Sequence, residues 1–172
     1  MRTSLVLTLP LHLLLALGAL GDAPRAPLPA GTRADVVVVD KSERRLTLFR
    51  RGRELRAYRV ALGPDPDGHK RQAGDGKTPE GRYVIDWRNA KSSYHRSLHV
   101  SYPSARDRRE AARRGVDPGG AIMIHGLPNG MGWLGAEHVA SDWTLGCIAV
   151  TNEEIEEIWR AVGDGTAIEI RP

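Results

Sequence analysis

The chain has a single cysteine, Cys147, and so cannot close a disulfide within itself. After its first twenty residues it has no apolar run long enough to cross a bilayer as a helix. It has no internal repeat. It lacks the glycine that a phosphate loop needs five positions before Gly76. Arg71 stands there, and Pro79 follows Gly76-Lys77-Thr78 where a helix would have to begin. It is not strongly charged: 25 Lys and Arg against 21 Asp and Glu leave a formal charge of +4.

What is present begins with an export pattern. Arg2 supplies a small positive region, and Leu5 to Leu20 is Leu-rich, interrupted by Thr8, Pro10, His12 and Gly18. Small residues follow, and Ala19-Leu20-Gly21 or Gly21-Asp22-Ala23 can precede a cleavage point. Residues 1–21 are therefore read as a signal peptide. The run is short for an anchor and contains Pro10. No cysteine stands at the junction to accept a lipid. The expected location is the periplasm or the face of the cell wall. There, acidic envelope polymers rather than nucleic acid are the partners that a mildly basic chain would meet. A lone thiol in an oxidising compartment is an intermolecular bridge or a reactive group.

Residues 22–33, rich in Pro and Ala, read as an extended linker. Residues 34–172 then read as one mainly β domain, a sandwich or open barrel with one or two short packed helices, expected to be monomeric. Asp35 to Asp40 encloses four valines. Leu46 to Phe49 and Leu55 to Leu62 alternate, with turns at Lys41–Arg44 and Arg51-Gly52. Residues 63–81 are loop. Gly81 to Trp87 is a strand with Tyr83, Ile85 and Trp87 on one face, and Ser97 to Tyr102 is another. Ala105 to Arg114 is a polar helix. Ala121 to Ile124 and Cys147 to Val150 are short apolar strands. Thr151 and Glu154 form a capping box. It opens a helix that buries Ile155, Ile158, Trp159 and Val162. Ala167 to Ile170 is the last strand.

Cys147 and His125 each border one of the short apolar strands. If those strands are neighbours, thiol and imidazole can meet, and a histidine within hydrogen-bond reach of a thiol can take its proton. Gly146 lets the backbone approach a substrate, and the amides around Gly146 and Cys147 are candidates to face an oxyanion. The segment from Leu127 to Thr144 reads as a substrate-facing flap. Asn129, Trp133, His138 and Trp143 are its candidate substrate contacts. Taken one at a time, each has a plainer reading: a buried thiol, a strand-end histidine, a solvent-facing His138, tryptophans packed under a loop. His69, His95 and His99 receive no role. His125, His138, Asp142 and Cys147 lack the compact spacing of a zinc site, so no metal or other cofactor is expected.

His125-Gly126, the intervening loop and Thr144-Leu145-Gly146-Cys147 together resemble the YkuD-type L,D-transpeptidase domain. Gly74-Asp75-Gly76-Lys77-Thr78-Pro79-Glu80-Gly81-Arg82-Tyr83 and Asp142-Trp143-Thr144 resemble its YafK-like branch. The resemblance runs from Asp35 to the C-terminus. It implies a peptidoglycan enzyme with Cys147 as nucleophile, His125 as base, the Gly126 carbonyl orienting the imidazole, and Thr144 and Gly146 shaping the nucleophile's turn. Cys147 would attack a diaminopimelate carbonyl of a stem peptide and release the terminal D-alanine. The thioester would then pass to an amine or to water. The resemblance also implies acylation by carbapenem-type agents. Leu145 stands where many members have histidine, and Ala149 where many have arginine or asparagine. Some YafK-like members resemble hydrolases that detach a wall-linked lipoprotein, so a hydrolase remains beside the transferase. Two further rivals are a wall-binding module without catalysis and a metal-dependent amidase.

Overall fold

A computed structural model describes residues 26–172. The signal-peptide reading of residues 1–21 lies outside the described residues.

Eight strands form one mixed sheet: β1 (Val36–Asp40), β2 (Arg45–Arg50), β3 (Arg53–Arg59), β4 (Gly81–Ser92), β5 (His95–Val100), β6 (Met123–His125), β7 (Ile148–Ala149) and β8 (Ala167–Arg171). Their order is β3-β2-β1-β8-β4-β5-β6-β7. β1 pairs β8 and β6 pairs β7 in parallel, and the other neighbours are antiparallel. Beyond β3 the chain comes round to the far edge. Ala61 and Ala149 exchange two backbone hydrogen bonds of 3.0 and 2.9 Å, so the last strand meets the first edge and the sheet curls towards a barrel.

The alternation in the sequence sets which face is buried. Val37 and Val39 of β1, Leu46 and Leu48 of β2, and Ile168 and Ile170 of β8 point into a core shared with Tyr83, Ile85, Leu98, Ile124 and Ile148. Helix α2 (Asn152–Ala161) packs on this core through Ile155 and Ile158. Its capping box is made as the sequence indicates: Thr151 Oγ1 accepts from the Glu154 amide, and Glu154 returns the bond. Helix α1 (Ala105–Arg114) has a second capping box, Ser104 with Asp107, and ends at Gly115 in the left-handed region.

Several boundaries differ from the sequence reading. β4 runs on to Ser92, and a register shift between Ile85 and Trp87 turns Trp87 outward, where it stacks on His99 with ring centres 4.9 Å apart. Trp159 is only partly buried, with the guanidinium groups of Arg88 and Arg96 4.8 and 4.9 Å from its ring. The flap contains a 3-10 helix, Gly132–Ala140, kinked at Gly135. The described part of the linker is docked: Leu28 N donates to Glu157 at 2.5 Å, and Arg33 donates to the Arg160 carbonyl at 3.0 Å.

Candidate active site

The parallel pair β6·β7 aligns the two segments that carry His125 and Cys147. Ile124 lies opposite Ile148 and His125 opposite Ala149. Continuing that register, Met123 lies opposite Cys147. Side chains alternate along a strand, so Ile124 and Ile148 go into the core while His125 and Cys147 share the other face. The Cys147 thiol donates to the Ala121 carbonyl at 3.5 Å, and the Met123 amide lies near enough to pull its pKa down. Burial pushes its pKa up, against the smaller pulls of that amide and of Lys70.

His125 is buried, and its Nδ1 donates to the Gly126 carbonyl at 2.7 Å, which leaves Nε2 as the free nitrogen. Burial lowers its pKa; the Gly126 bond opposes that shift, and His138 adds to it. Tyr94, from the turn between β4 and β5, lies with its ring centre 4.5 Å from the imidazole. Trp143 meets the imidazole edge-on at 5.8 Å. The hairpin tip is fixed by Asn129, whose side chain accepts from the His95 amide at 3.0 Å and donates to the Ser92 carbonyl at 3.1 Å. Asn129 therefore acts on the frame around His125, with both ends of its amide engaged.

The turn carrying the thiol is built from Thr144 to Cys147. Thr144 Oγ1 donates to the Cys147 carbonyl at 2.8 Å and accepts from the Gly146 amide at 3.2 Å. Gly146 has φ +117°, and a Cβ there would lie 2.4 Å from the Lys77 carbonyl oxygen. The Gly146 amide is thus occupied within the turn, whereas the Cys147 amide has no hydrogen-bond partner among the described residues. Asp142 anchors the approach to this turn, accepting a two-pronged Arg44 contact at 2.7 to 3.2 Å and the Leu62 amide at 2.8 Å.

Gly126 is needed for a different reason. A Cβ there would meet Asn152 Oδ1 at 2.8 Å, the atom that accepts from the Leu127 amide. Asn152 and Tyr94 were not singled out from the sequence. Asn152 is legible there only as the first residue after a helix cap, and Tyr94 belongs to no motif. Leu145 is 86% exposed and Trp133 78% exposed. With Tyr94 and Met131 they leave apolar surface on the segments that carry or border the pair, which suits a binding surface. Ala149 is buried between His125 and Ala61 in the sheet. His138 is buried rather than solvent-facing. Among the described residues, no group of three or more His, Cys, Asp or Glu side chains is placed to hold a metal ion. No described helix is long and apolar enough to cross a membrane.

Comparison with known proteins places this geometry in a family. Residues 34–170 match the L,D-transpeptidase catalytic domain, YkuD. YafK of Escherichia coli (strain K12), which carries an L,D-transpeptidase designation, is 29% identical over 132 residues, covering 73% of this chain and 46% of YafK. The chain thus spans about half the length of the curated relatives it matches. Among solved structures, the helical cell shape determining protein Pgp2 from Campylobacter jejuni superposes with a TM-score of 0.63 at 24% identity, over 87% of this chain and 51% of Pgp2. Bd1075 from Bdellovibrio bacteriovorus gives 0.57 at 25% identity, over 81% of this chain and 47% of Bd1075. The family match covers most of the chain and the fold agrees with it: this chain belongs to the YkuD family of L,D-transpeptidase catalytic domains.

Proposed function

We propose that this chain is an exported cysteine acyl-transfer enzyme that acts on peptidoglycan stem peptides in the periplasm or at the wall. The observation that carries the reading is the β6·β7 pair, which sets Cys147 and His125 on one face while the Gly126 carbonyl fixes the imidazole tautomer. His125 Nε2 takes the thiol proton as sulfur attacks a diaminopimelate carbonyl carbon. The Cys147 amide, which has no partner among the described residues, faces the oxyanion. The C–N bond then breaks, and the leaving amine of the terminal D-alanine takes the proton from His125. In the second half an amine or water attacks the thioester, His125 accepts its proton, and the C–S bond breaks to regenerate the thiol.

Cys147 and His125 are the catalytic residues of this proposal. Gly126, Thr144 and Gly146 position them, and Tyr94, Trp133 and Trp143 line the approach. Pgp2 is named for helical cell shape, and a role in wall architecture fits a shared fold. Amine and water acceptors use the same first half-reaction, so a hydrolase that cuts at diaminopimelate, including at a wall-linked lipoprotein, is the second reading. The exposed Leu145 beside the nucleophile favours neither.

The test is incubation of the full chain with intact sacculi, with Cys147→Ala as control, followed by digestion and mass spectrometry. New crosslinks or exchanged terminal residues in the wild type alone establish a transpeptidase. Shortened stems or released protein without new bonds establish the hydrolase. Products identical to those of Cys147→Ala would leave the wall-binding module as the answer.

A further inference from the structure

One row of side chains crosses the sheet from the thiol to an exposed aromatic pair. In the continued register Cys147 lies opposite Met123 on β6. Met123 lies opposite His99 on β5, and His99 opposite Trp87 on β4. All four face away from the core, which takes the alternate residues Ile148, Ile124, Leu98 and Ile85. Neighbouring strands lie about 4.8 Å apart, so three of these spacings put Trp87 about 14 Å from the thiol.

Alternation alone would turn Trp87 inward with Tyr83 and Ile85. The register shift after Ile85 turns it out, and it is 43% exposed. Exposing a tryptophan forfeits the burial that the alternation would give it, so the shift calls for a compensating contact. The His99 ring covers one face of the indole, with 17° between the planes, and the other face is open. Asp86 accepts from His99 Nδ1 at 2.6 Å. Its side chain is 39% exposed and keeps a second oxygen for another donor. The platform lies outside the cavities beside α1 and α2.

We infer that Trp87, with His99 behind it and Asp86 at its edge, is a platform for a pyranose ring of a β-linked glycan. The axial C–H groups of such a ring form a flat apolar face that matches an indole. Its equatorial hydroxyls lie in the ring plane, where Asp86 can accept from one. A bound peptide strand would need a free strand edge, and β5 is paired on both sides here. An extended peptide of four residues spans about 13 to 14 Å. A sugar on Trp87 and a carbonyl at Cys147 therefore fit within one glycopeptide. That the glycan carries the stem peptide rests on the reading under Proposed function; the platform does not.

The test uses the full chain and chitotetraose, a neutral glycan without peptide, followed by calorimetry and tryptophan fluorescence. Saturable binding is expected. It should weaken about tenfold in Trp87→Ala, the loss of one stacked ring. Trp87→Tyr keeps an aromatic face and should keep most of the binding. Asp86→Ala, at an exposed position, should weaken binding with the indole still in place. Maltotetraose, whose α-linkages curve the chain, should bind more weakly than the probe. Absence of saturable binding overturns the inference, and so does equal binding by Trp87→Ala. Preference for tetramethylammonium over the glycan would make the ring a cation site and overturn it too. A carbapenem adduct on wild-type Cys147 separates the two readings. An adduct without glycan binding removes the platform and leaves the enzyme, while glycan binding without an adduct does the reverse.

Discussion

Thr78 donates its hydroxyl to the Gly146 carbonyl at 2.9 Å, and Thr78 is wholly buried. One bond thus ties the Gly74–Gly81 loop to the turn that carries the Cys147 thiol, though 68 residues separate the partners. Thr78→Val keeps the shape and removes the donor, stranding a buried carbonyl. The expected cost is about 1 to 3 kcal/mol of stability, read from denaturant unfolding. kcat should fall together with it, because the carbonyl belongs to the residue before Cys147. Unchanged kcat in a destabilised Thr78→Val protein would show that the tie holds the fold and not the thiol.

Gly146→Ala is a sharper perturbation. The backbone there has φ +117°, and the added carbon would meet the Lys77 carbonyl at 2.4 Å. Both strain and clash push Cys147 out of line with His125. Misplacement by about 1 Å costs on the order of a hundredfold in rate. The expected result is a loss of that size in the rate of Cys147 acylation by a carbapenem, followed by intact mass, with far-UV circular dichroism unchanged. Wild-type acylation kinetics in Gly146→Ala would remove the turn from the mechanism.

Much of this site was legible in the sequence because it is local. Thr144, Gly146 and Cys147 make their turn within four residues, His125 bonds its own neighbour's carbonyl, and Thr151 with Glu154 wrote the start of α2. What escaped depends on partners distant in the chain. Tyr94 reaches His125 only because β4 extends past its expected end and turns at Ser92–His95. Asn152 reads as a helix start, yet its side chain fixes the segment after Gly126. Trp87 breaks its alternation because a register shift inserts there, and no periodicity announces a bulge. Lys41 stands in the turn that the sequence indicates, but nothing in the turn pattern announces that its ammonium is buried against Glu80 at 2.7 Å.

Burial shifts both partners of the pair towards their neutral forms. It pushes the Cys147 thiol up from its ordinary value and His125 down from 6.5. Both directions favour a protonated thiol and a neutral imidazole at neutral pH, so in the proposed mechanism His125 is ready to act as base before substrate arrives. The acid limb of kcat/KM should fall below pH 6.5, since a lowered histidine pKa keeps the base unprotonated further into acid. Iodoacetamide should react slowly with Cys147 at pH 7 and speed up only above the ordinary thiol range. Rapid alkylation at pH 7 would mean that a preformed thiolate–imidazolium pair exists instead.

The same burial makes stability depend on pH. His125 and His138 both have folded-state pKa values below 6.5, burial being the chief cause in each. Between the folded and unfolded pKa values the unfolded chain binds more protons, so stability rises with pH there. It is fully present above the unfolded value and is lost as pH falls through the folded one. Each histidine contributes a slope of at most about 1.4 kcal/mol per pH unit. Asp75 stays out of this window: burial raises it, but Lys70 and the amides of Arg71, Gln72 and Lys77 hold it at about 2. Glu154, raised by burial, works in the opposite direction, and so a single variant is needed to isolate one group. Tm should drop between pH 7 and pH 5, and His138→Gln, which cannot take up a proton in either state, should flatten that drop. An equal drop in His138→Gln would mean that His138 titrates alike in the folded and unfolded chains.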